Sequence, residues 1–312
     1  MLPMLAVWDS VAGAQQPSFK SSAERVTVAV VARDRHGRPM KGLSASDFEI
    51  LDDGQRRSIV DFQIGGSTVS IALLVDTSGS MKLPPKVELS TGVSTMLLAS
   101  LSEGTDEAGL FTFDKVLHFA HPFTTDFAGL RSAIQSAPAF GSTSLYDAIA
   151  ETAQQLSTRP GRRALVVVTD GVDTSSRLTP EQVSAIASSI DMPVYVVAVG
   201  RPSESRGAGH TPPATVNSAN LSDLARWSGG AFYAVATPAD SSVATKQIVT
   251  DVRHQYLLAF EPDSLPGWHR IDVRARQRPT LQARSGYWVR EIVSAPIAGA
   301  PITPAPLDEA GP

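Results

Sequence analysis

The chain has no cysteine in its 312 residues. That removes thiol catalysis, disulfides and cysteine-ligated zinc together. It has no apolar run of about 18 residues or more, so no segment reads as a membrane-spanning helix. Strong charge of either sign is also missing. Lys and Arg number 27 against 31 Asp and Glu, a net charge of -4, and this leaves no electrostatic footprint for nucleic acid. Basic residues are scattered, with only short clusters such as Arg162-Arg163 and Arg270 to Arg278, which read as a solvated strand face. No glycine-rich phosphate loop followed by lysine is present, which argues against an NTPase. His118 and His121 stand on a strand-like stretch, where a spacing of three turns them to opposite faces. They read as ordinary surface or edge residues.

What is present has the composition of a soluble globular protein, 42% hydrophobic and 19% charged. The length fits about two domains. At the N-terminus an apolar stretch interrupted by Asp9 leads to Ala12-Gly13-Ala14, a small-residue cleavage pattern without a basic n-region. Residues 1–22 are read as a signal segment and linker, and the protein is expected to be exported, periplasmic or secreted.

Residues 23–66 read as a small β unit. Val26 to Ala32 is β-branched and apolar. Phe48 to Leu51 and Ile59 to Phe62 flank Asp52-Asp53-Gly54-Gln55, a hairpin signal because Asp-Gly tolerates the positive φ of primed turns. Residues 68–254 then alternate strand-like and helix-like patterns. Ser70 to Val75, Ala164 to Thr169 and Val194 to Val199 are uninterrupted apolar runs of the kind buried in parallel sheets. Between and after them, Lys86 to Leu101, Phe127 to Gln135, Leu145 to Leu156, Glu181 to Ile190, Leu221 to Trp227 and Ser241 to His254 read as helices. Residues 201–219 form a Pro/Gly/Ser-rich loop expected to be mobile. Residues 255–290 return to β character at Gln255 to Phe260, His269 to Ala275 and Leu281 to Val289, and the Ala/Pro-rich tail 291–312 is expected to be disordered. The expected fold class is α/β: a doubly wound, mostly parallel, Rossmann-like sheet with a small β-sandwich formed by the N- and C-terminal flanks.

The chemistry gathers where apolar strands end. The first strand runs into Asp76-Thr77-Ser78-Gly79-Ser80, which sets short oxygen-bearing side chains at every second position. Such oxygens suit a small, hard divalent cation. Ligands in open α/β sheets bind beyond the carboxyl ends of the strands, and Asp170 sits at a second such end, before Gly171. A turn at Gly141-Ser142-Thr143 delivers a third oxygen donor. Each element has a plainer reading. Ser78 or Ser80 could cap the next helix, Thr143 could cap a helix with Asp147 at its third position, and Asp170 could only shape a turn.

Taken together and in this order, Asp76, Ser78, Ser80, Thr143 and Asp170 resemble the metal-ion-dependent adhesion site of the von Willebrand factor type A domain. The resemblance covers roughly residues 68–254, including Leu221 to Gly230. The stretches Gly42 to Gly54 and Tyr256 to Pro262 also resemble the flanks of bacterial VWFA-related, Acidobacteria-type proteins. The resemblance implies Mg²⁺, with Mn²⁺ able to substitute. It implies that Ser78 and Ser80 bind the ion directly, Thr143 directly or through water, and Asp76 and Asp170 largely through water. A partner protein's Asp or Glu carboxylate would complete the site. The expected function is then a non-enzymatic, metal-dependent protein-binding module, with no nucleic-acid partner and no membrane span.

Two other functions compete with it. In a purely structural envelope protein a side chain of the same chain, such as Glu103, Asp114 or Asp173, would close the sixth metal position. A phosphatase-like hydrolase needs Asp-x-Asp, and Ser78 stands where the second acid would be.

Overall fold

A computed structural model of the chain describes residues 25–289 apart from 67, 137–140, 160, 180–181, 184–185, 187–191, 201–217 and 264. The expected signal segment, nearly all of the 201–219 loop and the C-terminal tail lie outside the described residues. So does most of the helix expected at Glu181 to Ile190, of which Gln182, Val183 and Ile186 are described and helical.

The centre is a sheet of six strands. In chain order these are β5 (Val69–Asp76), β6 (Glu107–Phe113), β7 (Leu117–Thr124), β8 (Arg162–Thr169), β9 (Val194–Val199) and β10 (Phe232–Val235), arranged in the order β10-β9-β8-β5-β6-β7. All neighbours pair in parallel except β6 with β7, so only that edge strand is reversed. Helices that cover the sheet among the described residues include α1 (Pro84–Ala99), α2 (Ala128–Ser136), α3 (Leu145–Ser157), α4 (Ser218–Trp227) and α5 (Pro238–Arg253).

The apolar runs serve two cores at once, because successive strand side chains point to opposite faces. Ile71, Leu73 and Val75 of β5 join Val93 and Leu97 of α1 and Ile248 of α5 on one face. Ala72 and Leu74 join Ile149 and Leu156 of α3 and Leu224 of α4 on the other. This double burial is why these strands carry no polar alternation. Strand order reverses direction between β5 and β8, so the crevice beyond their carboxyl ends is the topological switch point of the sheet.

The flanks form two antiparallel four-stranded sheets. One has the order β13-β1-β11-β4, with β1 (Val26–Arg33), β4 (Ile59–Gln63), β11 (Tyr256–Phe260) and β13 (Thr280–Ala283). The other has the order β14-β12-β2-β3, with β2 (Phe48–Asp52), β3 (Gln55–Arg57), β12 (Gly267–Ala275) and β14 (Gly286–Val289). Their shared core includes Val28, Val30, Ile50, Tyr256, Leu258, Phe260 and Ile271. Each sheet therefore mixes strands from both flanks, as the fold-class expectation requires.

Three local readings are corrected. The hairpin partner of Phe48–Asp52 is Gln55–Arg57, while Ile59–Gln63 crosses to the other sheet and pairs with β11. The primed turn itself is present, with φ of 48° at Asp53 and 83° at Gly54. Leu281 to Val289 is two strands, not one. Arg284-Ser285 breaks the run, and Gly286 then passes so close to β12 that a side chain there would meet the His269 carbonyl at 2.4 Å. Arg162, expected on a solvated face, is buried instead, and its guanidinium donates to the Gln255 carbonyl at 2.9 Å where the sandwich meets the sheet.

Candidate metal centre

Three loops meet at the switch point. The loop after β5 touches the loop before α3 through the Gly79 N–H, which donates to the Gly141 carbonyl at 2.9 Å. The loop before α3 touches the loop after β8 through Thr143: its N–H donates to the Thr174 hydroxyl, and its carbonyl accepts from the N–H groups of Thr174 and Ser175, each at 2.9 Å. The circuit closes between β5 and β8, where the Thr169 hydroxyl donates to Asp76 Oδ2 at 2.6 Å.

Within this frame Asp76 Oδ1 accepts the Ser78 N–H at 2.9 Å, and the Ser78 and Ser80 hydroxyls stand 3.1 Å apart. Gly79 between them has no left-handed φ, so conformational freedom is not its role. Its role is close approach, since a methyl group there would meet the Gly141 carbonyl at 3.2 Å. Gly141 does need its freedom, with φ of 93°, and a methyl group on it would press on Asp114.

Asp76 is 2% exposed. Burial pushes its carboxyl up to about 6, against hydrogen bonds from Ser78 and Thr169 that pull it down; the Asp170 charge adds to the rise. No cationic side chain is bonded to Asp76 among the described residues. Asp170 differs. Its Oδ2 accepts from Lys86 Nζ at 2.9 Å and its Oδ1 from the Val172 N–H at 3.2 Å.

Ser78 precedes a short 3₁₀ turn at Gly79–Lys82 without a side-chain cap, and α1 begins after Leu83, again without one. The serine hydroxyls are therefore not helix caps. Neither is Thr143, whose hydroxyl makes no hydrogen bond among the described residues. The first N–H groups of α3 are met from another loop, Leu145 by Asp173 Oδ1 at 2.8 Å and Tyr146 by the Ser176 hydroxyl at 2.9 Å. Asp147 accepts from the N–H groups of Arg177 and Leu178. The turn-forming role of Asp170 is present, but it uses only one oxygen.

Two of the three acids considered for closing the site are engaged elsewhere, while Asp114 lies beside Gly141 and is engaged through one oxygen only. Glu103 lies before β6, at the opposite end of the sheet, and accepts from the Phe127 N–H and Arg131. Asp173 holds the start of α3. Asp114 Oδ1 accepts the Val116 N–H at 3.0 Å.

Sequence reading missed Lys86. Its signal was a basic residue in the first turn of α1, where the helix macrodipole favours acids. A second group, in the sandwich, also went unread: Asp52, Asp53 and His269, with one donor atom from each lying within 4.8 Å of the others. By sequence alone the two aspartates read only as a turn.

Residues 71–172 match the family described as von Willebrand factor type A domain. The chain carries a von Willebrand factor type A domain. Similar solved structures agree on the fold. An aerotolerance-related membrane protein from Bacteroides fragilis, carrying multiple mutations to serine, is 22% identical with a TM-score of 0.50, over 59% of this chain and 98% of that one. A von Willebrand factor type A protein from Catenulispora acidiphila is 14% identical with a TM-score of 0.50, over 88% of this chain and 76% of that one. No curated protein matches the chain. No helix among the described residues is long and apolar enough to cross a membrane.

Proposed function

We propose that the type A domain of this chain is a divalent-metal-dependent protein-binding module. The donor set fits a hard cation: three hydroxyls, from Ser78, Ser80 and Thr143, with the carboxylates of Asp76 and Asp170, all oxygen. The observation that carries the reading is the pairing of two serine hydroxyls 3.1 Å apart beside a buried aspartate that has no cationic partner among the described residues. A carboxylate in that setting is costly without a counter-charge. Mg²⁺ is the first choice, and Mn²⁺ can replace it.

When bound, the ion supplies an electrophilic centre able to take a carboxylate oxygen from a partner protein. The chain's own residues do the rest. Asp76 and Thr169 fix the loop that carries Ser78. The Gly79–Gly141 contact fixes the position of Ser80 against the Thr143 loop. Lys86 holds Asp170 in place, and its ammonium has to share or yield that carboxylate when a metal binds. A serine at position 78, where a phosphatase needs its second acid, directs this site to binding rather than catalysis. Export to the envelope belongs to the same reading.

The test is a pull-down from envelope extract with the full chain in Mg²⁺, followed by elution with EDTA, alongside Asp76→Ala. Retention in Mg²⁺, release in EDTA and loss in the variant are expected. Binding that persists unchanged in EDTA would overturn the proposal.

A further inference from the structure

The sandwich holds a second cluster whose chemistry differs from that of the type A site. Asp52 ends β2 and is 1% exposed; His269 on β12 is 5% exposed; Asp53 begins the turn between β2 and β3. His269 Nδ1 lies 3.0 Å from Asp53 Oδ2 and 3.5 Å from Asp52 Oδ1.

The outer atom of each residue is held. His269 Nε2 is 2.7 Å from the Leu265 carbonyl, and the ring stacks on Tyr287 at 5.1 Å and 21°. Asp52 Oδ2 accepts from Arg57 Nε and from the Tyr287 hydroxyl, both at 3.0 Å. Asp53 Oδ1 accepts the Arg270 N–H at 2.9 Å. Yet the inward atoms Asp52 Oδ1 and His269 Nδ1 are buried with no hydrogen-bond partner among the described residues.

The tautomer follows from the partner. A carbonyl only accepts, so the Leu265 contact puts the proton of a neutral imidazole on Nε2 and leaves Nδ1 with a lone pair. That lone pair faces two carboxylate oxygens, and three electron-rich atoms converge. Either Nδ1 carries a second proton, making an imidazolium ion pair, or a cation sits among the three.

Three features favour the cation. Neither approach to Nδ1 is directed as a hydrogen bond, which an imidazolium would require. Bonds of about 2.0–2.1 Å in a tetrahedron set neighbouring donors roughly 3.3 Å apart, and the two separations here bracket that value. Outer atoms pinned to a carbonyl, a guanidinium, a phenol and an amide are the arrangement that orients ligands around a metal. The turn explains Asp53, since aspartate tolerates its φ of 48°. It does not explain a buried carboxylate at Asp52.

We propose that Asp52, Asp53 and His269 form a second divalent-metal site, suited to Zn²⁺, that clamps the β2–β3 hairpin to β12. One imidazole nitrogen with two carboxylate oxygens suits a borderline ion of this class better than Mg²⁺. The Asp53 side chain is 52% exposed, which gives the ion a route from solvent. The bound ion would tie together strands more than 200 positions apart in the sequence, so it stabilises the sandwich and leaves the partner-binding loops untouched.

The test uses the full chain carrying Ser78→Ala and Ser80→Ala, which silences the type A site. Zn²⁺ titrated into metal-free protein should bind with one equivalent and raise Tm, and Co²⁺ should give the visible bands of a tetrahedral site. Asp53→Asn, a conservative change at a half-exposed position, should fold normally and weaken Zn²⁺ binding by about tenfold or more. His269→Gln should abolish the cobalt bands. Absence of both the Tm rise and the bands would leave an imidazolium ion pair and overturn the proposal, as would unchanged affinity in Asp53→Asn and His269→Gln together.

Discussion

Asp76 and Asp52 are both buried carboxylates at strand ends, 2% and 1% exposed, and they are stabilised in different ways. Asp76 has a hydroxyl and a backbone N–H for partners, while the Lys86 ammonium is bonded to Asp170. Asp52 has a guanidinium and a phenol on one oxygen and an imidazole facing the other. The difference follows from architecture. The first site is assembled from three loops beyond a parallel sheet, where side chains converge on a crevice and can exchange partners. The second joins a hairpin turn to an adjacent antiparallel strand, where the backbone fixes every separation. One arrangement suits a ligand that comes and goes, the other a permanent clamp.

Dependence of one site on the other would erase the distinction between them. Replacing Asp76 by alanine is expected to remove Mg²⁺ binding entirely and to leave Zn²⁺ binding at the sandwich unchanged, each measured by calorimetry on the same preparation. Loss of both from the single change would mean that they are not separate sites.

Lys86→Met should have the next largest effect. It strips the partner from Asp170, which is 2% exposed while Lys86 keeps 15%. Breaking a buried ion pair costs several kcal/mol, and the exposure of Lys86 places this case at the low end, about 3 kcal/mol in EDTA. Mg²⁺ should recover much of that loss and bind more tightly than in the parent chain, because no ammonium competes for Asp170. Denaturation with and without Mg²⁺ checks both halves. Equal losses in the two conditions would assign Lys86 to loop stiffening alone.

Lys86 also marks where the sequence stopped being legible. The ends of β5 and β8 could be read because double burial leaves uninterrupted apolar runs that stop at Asp76 and Asp170. The capping role of Thr143 was a fair expectation from local sequence. What overrides it is Asp173 and Ser176, which reach α3 from a loop about 30 positions away. The meeting of Lys86 with Asp170 depends on the rotation of α1 against the sheet, which no local pattern fixes. In the sandwich, alternation located the strands but not their partners. The exchange of β4 and β13 into one sheet, with β3 and β14 in the other, rests on breaks of one or two residues, at Ser58 and at Arg284-Ser285. Asp52 could not be told from a turn former, because its significance lies in His269, 217 positions away in the chain.

Tyr287→Phe sharpens the sandwich side of the comparison. Burial, with the nearby Asp52 charge, raises the Tyr287 phenol above its usual range, so it stays a proton donor to Asp52. Removing one hydrogen bond to a charged group costs about 1.5–3 kcal/mol. The low end is expected here, because Arg57 still holds the same oxygen. Urea denaturation should show that loss, while Mg²⁺ affinity stays as in the parent. A change in Mg²⁺ affinity would show that strain in the sandwich reaches the type A loops.

The smallest effect is expected from Gly79→Ala, and it tests whether the first site is as adaptable as its loop construction implies. The added methyl group would stand 3.2 Å from the Gly141 carbonyl, so the bond between the Gly79 N–H and that carbonyl has to lengthen by a few tenths of an ångström. The φ of Gly79 is one that alanine accepts, so the cost comes from this contact alone and should stay under about 1 kcal/mol of stability. The shift moves Ser78 and Ser80 relative to the Thr143 loop. Mg²⁺ binding should therefore weaken about fivefold, equivalent to roughly 1 kcal/mol, and calorimetry resolves a change of that size. If affinity is unaltered, the Gly79–Gly141 contact does not position the hydroxyls, and the loops are looser than their hydrogen bonds indicate. If binding disappears, the site is as rigid as the sandwich clamp and the contrast drawn between the two fails.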